Sequence, residues 1–204
     1  MQIYRVMSAA SAAAICDVLK TEEWAQGRAR TPALTGTVKQ NEEILQHAAL
    51  TRIGKALINH GEIQLATIPL KLHAPKFSRY SKGAHYGRHT DAPWMGETRT
   101  DLSCTLWLND DYEGGALSIA GQRIRGMPGE CVIYDCGEPH EVEEVTAGER
   151  LCVITWIQSR IRDAHKRRLV TDMRRFLSRF ETSHPEWFVD GGRVHSALIR
   201  MWME

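Results

Sequence analysis

Two hydrophobic periods divide this chain. Near its start, apolar residues recur at helical spacing. Ala12, Ile15, Val18 and Leu19 share one face behind a capping Ser8, and Ile44, Leu45, Ala48, Ile53, Ala56 and Leu57 share another behind Asn41, with Gly61 as the stop. From Ile63 the pattern changes to short extended runs: Gln64 to Leu72, Lys76 to Tyr80, Leu102 to Leu108, Ala116 to Ile119, Glu130 to Tyr134, Glu141 to Val145 and Arg150 to Gln158. Turn signals separate them, notably Gly114-Gly115, Gly126-Met127-Pro128-Gly129 and Gly137-Glu138-Pro139. Helical spacing returns over Ile161 to Phe180, with Val170, Met173, Phe176, Leu177 and Phe180 as a core-facing stripe. Trp187, Phe188, Leu198, Ile199, Met201 and Trp202 then predict a terminal element docked on the core. Many short strands between turns argue for a sandwich or barrel, so the expected class is mainly β with flanking helices (α+β), the helices packed on one side. The expected organisation is one domain over 1–204, with a helical part at 1–61, a strand core at 62–159 and closing helices at 160–204.

Composition narrows the picture mostly by exclusion. A chain of 204 residues buries enough surface for one substantial core. A net charge of +1 names no partner. The closing helix is basic, with Arg162, Lys166, Arg167, Arg168, Arg174, Arg175 and Arg179, but Asp163 stands four residues before Arg167, and a solvated face over an apolar stripe explains the charges without nucleic acid. Cys16, Cys104, Cys131, Cys136 and Cys152 are odd in number and contain no CxxC pair, which predicts neither a disulfide framework nor a zinc knuckle and favours a reducing cytoplasm. The stretch from Met1 to Ile15 is too short and weak in apolar character for a secretory signal, and no run approaches the roughly 20 apolar residues of a membrane span.

The chemistry is concentrated in four residues. Side chains two apart on an extended strand point the same way, so His89 and Asp91 can reach one metal while Thr90 points away. The ten residues from Tyr80 to His89 form a Gly-containing turn that leads into this pair, and His140 follows a Gly-Glu-Pro turn at the start of a later strand. Two imidazoles and a carboxylate on one face of an octahedron leave three positions open, as in non-haem Fe(II) oxygenases. The same donors also suit zinc with a bound water. Ten residues beyond His140, after the Thr146-Ala-Gly148 turn, Arg150 opens a strand on which Cys152, Ile154 and Trp156 share its face. Its planar guanidinium either grips a carboxylate through paired hydrogen bonds or forms a salt bridge to Glu141, Glu143 or Glu144. His73, His85 and His165 lack such partners and are expected at the surface or in packing, and His60 is expected to meet the terminal carbonyls of its helix. The wall that would shield the chemistry draws on Leu106, Val132, Ile154 and Trp156, with the inward face of each strand left open.

Several runs carry a family resemblance: Phe77-Ser-Arg-Tyr80-Ser-Lys-Gly83, His89-Thr-Asp91, Arg99-Thr-Asp-Leu-Ser103, Thr105-Leu-Trp-Leu108, Tyr112-Glu-Gly-Gly-Ala-Leu117, Pro139-His140-Glu-Val142, and Val145-Thr-Ala-Gly-Glu-Arg150 through Trp156-Ile-Gln-Ser159. Together with Val38-Lys-Gln-Asn41 and Arg200-Met-Trp202 they resemble the PKHD-type hydroxylases, relatives of the prolyl and lysyl hydroxylase domain among the Fe(II)- and 2-oxoglutarate-dependent dioxygenases. The resemblance implies a double-stranded β-helix, or jelly roll, with His89, Asp91 and His140 on iron and Arg150 on the distal carboxylate of 2-oxoglutarate. It also implies Tyr80 and Trp156 in the cosubstrate pocket. Expected cofactors are Fe(II), 2-oxoglutarate and O2, with ascorbate as reductant. The implied reaction is hydroxylation of a C–H bond of a prolyl- or lysyl-type side chain in a protein, peptide or free amino acid, with succinate and CO2 as coproducts. The expected partner is such a peptide, protein or small amino-acid-like substrate, with no membrane and no nucleic acid. Glu143-Glu144 stands where relatives often carry proline, and the segments Ala92 to Thr98 and Gly121 to Met127 are short for the family. Substrate-binding residues stay unassigned, with Trp94, Met95 and the Gly27 to Thr37 segment, including Arg28, Arg30 and Pro32, as candidates for a lid or rim. A zinc hydrolase and a non-catalytic jelly-roll binding module are the competing classes.

Overall fold

Strict alternation along buried strands gives the central sheet two different faces, and everything functional follows from that division. A computed structural model describes residues 1–27 and 39–204, so Arg28, Arg30 and Pro32 of the proposed rim lie outside the described residues. Along the chain run β1 (Gln2–Arg5), α1 (Ala9–Leu19), β2 (Ala25–Gln26), β3 (Glu42–Ile44), α2 (Ala48–Asn59), α3 (Gly61–Thr67), β4 (Pro69–Leu72), β5 (Lys76–Tyr80) and β6 (Tyr86–His89). They are followed by β7 (Trp94–Met95), β8 (Thr98–Arg99), β9 (Leu102–Trp107), β10 (Glu113–Gly114), β11 (Leu117–Ile119), β12 (Gln122–Ile124), β13 (Glu130–Asp135), β14 (His140–Val142), β15 (Val145–Ala147), β16 (Arg150–Ser159), α4 (Ala164–Ser178) and α5 (Pro185–Trp202).

The large sheet has the order β1-β13-β9-β16-β5-β3-β2, with β4 also on β16, and the small one is β12-β11-β14-β6. Both are antiparallel. On β9, Leu102, Cys104 and Leu106 join a core shared with Leu19, Leu50, Ile53, Leu57 and Ile63 of the first three helices, and Phe77 and Val153 face the same way. The alternate residue Trp107 joins a second core with Tyr80, Val132, Tyr134 and Cys152 of the large sheet and Leu117, Ile119 and Val142 of the small one. Each side chain of leucine size fully buried in either layer contributes about 1.5–3 kcal/mol. Helices therefore cover one face of the large sheet and the small sheet faces the other. Leu106 lies in the helix-side core, so it cannot belong to the wall expected to shield the chemistry; Val132, Ile154 and Trp156 face the opposite way.

Several boundaries differ from the pattern-based expectation. Ser8 does cap α1, accepting from the backbone N–H of Ser11. Asn41 caps nothing: residues Glu42–Ile44 pair with β5, and the next helix starts only at Ala48, where His47 Nδ1 accepts from the Ala49 N–H. Gly61 opens α3 instead of ending α2, and His60 sits between the helices, its Nδ1 accepting from the Ile63 N–H at 3.4 Å. That imidazole serves a helix start, the reverse of the expected role at terminal carbonyls. The extended run expected from Gln64 is helical through Thr67, with left-handed Ile68 (φ 44°) at its end and β4 beginning at Pro69. The run Glu141 to Val145 is split into β14 and β15. The first residues form β1 on the edge of the large sheet, beside β13.

The closing helices also differ in detail. Asp163 caps α4 through the N–H groups of His165 and Lys166, while Arg167 turns to the Ile161 carbonyl and to Asp135. Val170 and Leu177 of the expected stripe are buried, but Phe176 is 55% exposed. The last helix has no buried residue; it lies on the surface against α4, where Gly191 closely approaches Leu177. All five thiols are free. Among the described residues no helix is long and apolar enough to cross a membrane.

Candidate metal and cosubstrate site

Register places the two histidines side by side. His140 opens β14 directly opposite His89 at the end of β6, with the ring centroids 4.2 Å apart. Between this pair and the next, Val142 opposite Tyr86, the register shifts, so β6 carries an extra residue. Such a bulge re-aims the side chains beside it. Asp91 lies just past the strand, its N–H donating to the Cys136 carbonyl at 3.2 Å. One ligand atom from each of His89, Asp91 and His140 falls within 4.8 Å of the others, and His140 Nε2 stands 3.7 Å from Asp91 Oδ2.

Partners outside the triad fix how it presents itself. His89 Nδ1 lies 2.8 Å from the Gly87 carbonyl and His140 Nδ1 lies 2.9 Å from the Glu138 carbonyl. Each carbonyl accepts only if Nδ1 carries the proton, which leaves both Nε2 atoms as lone-pair donors. Burial, and then the neighbouring His140, push the His89 pKa down to about 4, so its ring is neutral near pH 7. Ser103 Oγ donates to Asp91 Oδ2 and also lies 3.3 Å from Cys136 Sγ. The Tyr86 ring stacks on His89 at 3.7 Å, and Tyr134 meets His140 edge-on at 5.0 Å.

The triad opens into a cavity of about 820 Å³ that Arg150, Tyr80, Ile154 and Trp156 also line. A volume of this order suits a small-molecule site. Arg150 is fully buried. Its Nη1 donates to Cys152 Sγ at 3.0 Å and its guanidinium lies 5.2 Å from the Tyr80 ring centre. Its Nε and Nη2, with the Tyr80 hydroxyl and the Trp156 Nε1, are buried without a hydrogen-bond partner among the described residues. The structural alternative for Arg150 is therefore absent: Glu143 pairs with Arg123 instead. Burial raises the Tyr80 pKa, so its hydroxyl stays a donor. Gly115 makes the close approach possible, because a Cβ there would sit 2.8 Å from Val145 Cγ2 and 3.2 Å from Arg150 Cδ, at a φ of +59°.

An uncompensated buried guanidinium costs several kcal/mol, which makes the unpaired Nε and Nη2 an invitation to an anion. Their side-by-side N–H vectors match the two oxygens of one carboxylate. Three neutral-or-anionic donors on one side of the cavity and this fork on the other suit a divalent metal and a dicarboxylate held together. The donor set fits iron on the grounds of ligand type and open positions.

Other residues took places that spacing did not anticipate. His73 lines the cavity and meets Trp156 edge-on at 5.6 Å. Met95 lines the cavity as well, while Trp94 beside it on the same short strand is 64% exposed. Tyr86, Ser103, Tyr112 and Tyr134 were not assigned from sequence. Ser103 was detectable in principle, since Leu102-Ser-Cys-Thr-Leu-Trp107 puts polar residues at every second place of a buried strand, and such residues need a partner.

Comparison with known proteins agrees with this geometry. Residues 75–158 match the model for the 2OG-Fe(II) oxygenase superfamily. A PKHD-type hydroxylase of Acaryochloris marina is 33% identical over all of this chain and 99% of its own length. Among solved structures, a prolyl-4-hydroxylase of Pseudomonas putida aligns over 78% of this chain and 92% of its own, with TM-score 0.55 and 24% identity. A non-heme alpha-ketoglutarate-dependent carbocyclase from nogalamycin biosynthesis aligns over 78% and 79% with TM-score 0.59 and 16% identity. These two establish the likeness of fold, a β-sheet core with flanking helices, and their differing reactions leave the chemistry to be argued from the site. On the strength of the full-length relative, the chain belongs to the PKHD-type hydroxylases within the 2OG-Fe(II) oxygenase superfamily.

Proposed function

We propose that this protein is an Fe(II)- and 2-oxoglutarate-dependent dioxygenase that hydroxylates a C–H bond of an amino-acid-type side chain, with succinate and carbon dioxide as coproducts. The observation that carries the reading is the buried Arg150 fork, unpaired at Nε and Nη2, facing the same cavity as His89, Asp91 and His140. The two facing sheets are read as a double-stranded β-helix forming one catalytic domain. His89, Asp91 and His140 would hold the iron, and Arg150 with the Tyr80 hydroxyl would hold the distal carboxylate of 2-oxoglutarate, Trp156 closing the pocket. Bound iron and 2-oxoglutarate supply the activation of O2, with ascorbate as a reductant that maintains the ferrous state.

The chain's own contribution is placement and exclusion of water. Carbonyls at Gly87 and Glu138 hold the two imidazoles with Nε2 inward. Ser103 fixes the carboxylate of Asp91. Leu117, Val142 and Ile154 present apolar surface to the cavity, shielding a reactive centre from solvent. A zinc hydrolase would have no use for a buried cation with its donors held open, so Arg150 speaks against that class.

Anaerobic titration with Fe(II) and 2-oxoglutarate tests the assignment. A weak visible charge-transfer band is expected for the unaltered protein and its loss is expected for Asp91→Ala. A band unchanged in that variant would overturn the triad. Succinate release across a panel of amino acids, peptides and lysate fractions then separates substrate-stimulated turnover from background.

A further inference from the structure

The last two helices carry an ordered apolar face that no other element covers among the described residues. Leu169 and Phe176 of α4 are 54% and 55% exposed, and Trp187, Val194 and Met201 of α5 are 54%, 54% and 72% exposed. On each helix these residues stand seven apart. Positions seven apart on a helix lie within about 20° of one another, the repeat of a seam along which helices wrap on helices. Single exposed apolar residues need no explanation, but a continuous seam on each of two neighbouring helices does.

The two seams adjoin on one side of an antiparallel pair. Lys166 Nζ lies 5.7 Å from the Trp202 ring, a Cβ on Gly191 would sit 2.2 Å from Leu177 Cδ2, and the Phe180 ring in the turn lies 5.6 Å from Trp187, so α4 and α5 match level for level in reverse order. Phe176 meets Phe180 at 5.0 Å, which joins the α4 seam to the α5 seam through these rings. The opposite side of α4 carries buried Thr171, whose hydroxyl donates to the Leu65 carbonyl of α3 at 3.0 Å. The face therefore looks away from both sheets. An 18-residue helix with no buried residue of its own is held by α4 along one flank and leaves its seam to solvent.

We propose that this face packs on the same face of a second copy of the chain, giving an antiparallel four-helix bundle about a two-fold axis that runs along the helices. Rotation about such an axis keeps every residue at its own level, so α4 of one copy lies against α5 of the other. At those levels Phe176 enters between Trp187 and Val194 of the second copy, and Leu169 enters between Val194 and Met201. Two knobs fill the gaps left by three.

The charges beside the seams fit the same arrangement. Arg179 stands at the level of Glu186 and Asp190, and Asp172 stands at the level of Arg193, all of them exposed except the part-buried stem positions facing α4. Laying α4 over α5 of the second copy thus sets opposite signs together along both edges. A bilayer would call for a uniformly basic rim, and this rim is mixed. The five seam residues expose on the order of 500 Å² per copy, so the pair would bury roughly 1,000 Å², where specific interfaces begin.

Sedimentation over a concentration series tests this on the full chain. The unaltered protein is expected at twice the mass of one chain, falling to one on dilution. Phe176→Glu and Val194→Glu each place two charges in a symmetric interface and are expected to weaken association at least about 30-fold. Val189→Glu, at a residue 61% exposed on the other flank of α5, is expected to leave it unchanged. Arg179→Glu is expected to weaken the dimer about 3-fold and Asp190→Arg in the same chain to restore it. A chain that is monomeric at every concentration, or a dimer that survives both seam variants, overturns the proposal. Hydrogen exchange on the unaltered protein decides the matter even if a variant misfolds: dimerisation is expected to slow exchange in α4 and α5, and slowing confined to other elements overturns the proposal. A monomer that floats with phosphatidylglycerol vesicles and stops doing so as Phe176→Glu assigns the face to a membrane and overturns it as well. None of these readouts uses iron or 2-oxoglutarate, so the outcome is independent of the proposed function.

Discussion

The two faces of the large sheet obey one rule of alternation yet are built for opposite ends. On the helix side, Leu102, Cys104, Leu106, Phe77, Ile133 and Val153 meet the first three helices in an apolar layer. On the other side the same strands present Ser103, Thr105, Ser78, Arg150 and Trp156, and six buried polar atoms there, one each on Tyr80, Trp107, Tyr112 and Trp156 and two on Arg150, lack a protein partner among the described residues. Buried polar groups in folded proteins are almost always satisfied. A cluster that is not, on one face only, marks the face where stability was given up for ligands. The helix-side layer carries the cost of the cavity-side layer.

That division is sharpest in the response to truncation. Leu106→Ala removes a fully buried side chain from the helix-side core, and the expected loss is about 3 kcal/mol of unfolding free energy. Urea denaturation reads it directly. Because Leu106 points away from the cavity, affinity for 2-oxoglutarate in the protein that remains folded is expected to stay within about 2-fold. A comparable loss of stability with a large change in cosubstrate affinity would show that the two layers are coupled and break the comparison.

The opposite sign is expected at Arg150. Replacing it by methionine removes a buried cation whose Nε and Nη2 lack partners, so the ligand-free protein is expected to melt at a higher temperature while the rise induced by 2-oxoglutarate disappears. Arg150→Lys keeps the charge but loses the paired donors, and a 2-oxoglutarate KM raised about 10- to 100-fold is the expected result. Thermal scans with and without 2-oxoglutarate, and initial rates, measure both. An Arg150→Met protein that is less stable than its parent when ligand-free would mean the guanidinium is a structural prop.

How much of this could be read from sequence depended on the range of the interactions involved. The strands β5, β9, β13 and β16 were legible because each carries its own alternation, and Arg150 with Ile154 and Trp156 fell on one face for the same reason. The stretch from Asn41 to Leu57 reads as one helix because Ile44 and Leu45 happen to fit its stripe. Only pairing with β5 makes Glu42–Ile44 a strand, and that partner lies far along the chain. His89 and Asp91 were visible through spacing, but the meeting of His89 with His140 rests on a ladder between β6 and β14. The group of Lys39, Glu43 and Lys76 was invisible for that reason too, since Glu43 of β3 and Lys76 of β5 meet only through strand pairing and Lys39 joins them from a bridge to Tyr86.

The smallest expected effect tests how far the polar face extends beyond the atoms that would touch metal. Ser103 lies next to Leu102 and Cys104 on β9, yet its hydroxyl points the other way, donating to Asp91 Oδ2 and lying 3.3 Å from Cys136 Sγ. Ser103→Ala deletes the donor and leaves a space smaller than a methyl group's worth of packing, so stability should change by less than about 1 kcal/mol. The carboxylate of Asp91, freed on one oxygen, would then sample orientations unsuited to a shared metal. Loss of such an outer partner typically lowers metal affinity 10- to 100-fold, and about 10-fold is expected here because Asp91 remains hemmed in by the Cys136 carbonyl through its own N–H. Competition between the protein and a chromophoric chelator for Fe(II) or Mn(II) measures it. Threonine at the same position retains the hydroxyl and should restore most of the affinity. If alanine binds metal as tightly as serine, the ligand geometry is set by the backbone at Asp91 alone, and the polar face ends at the triad.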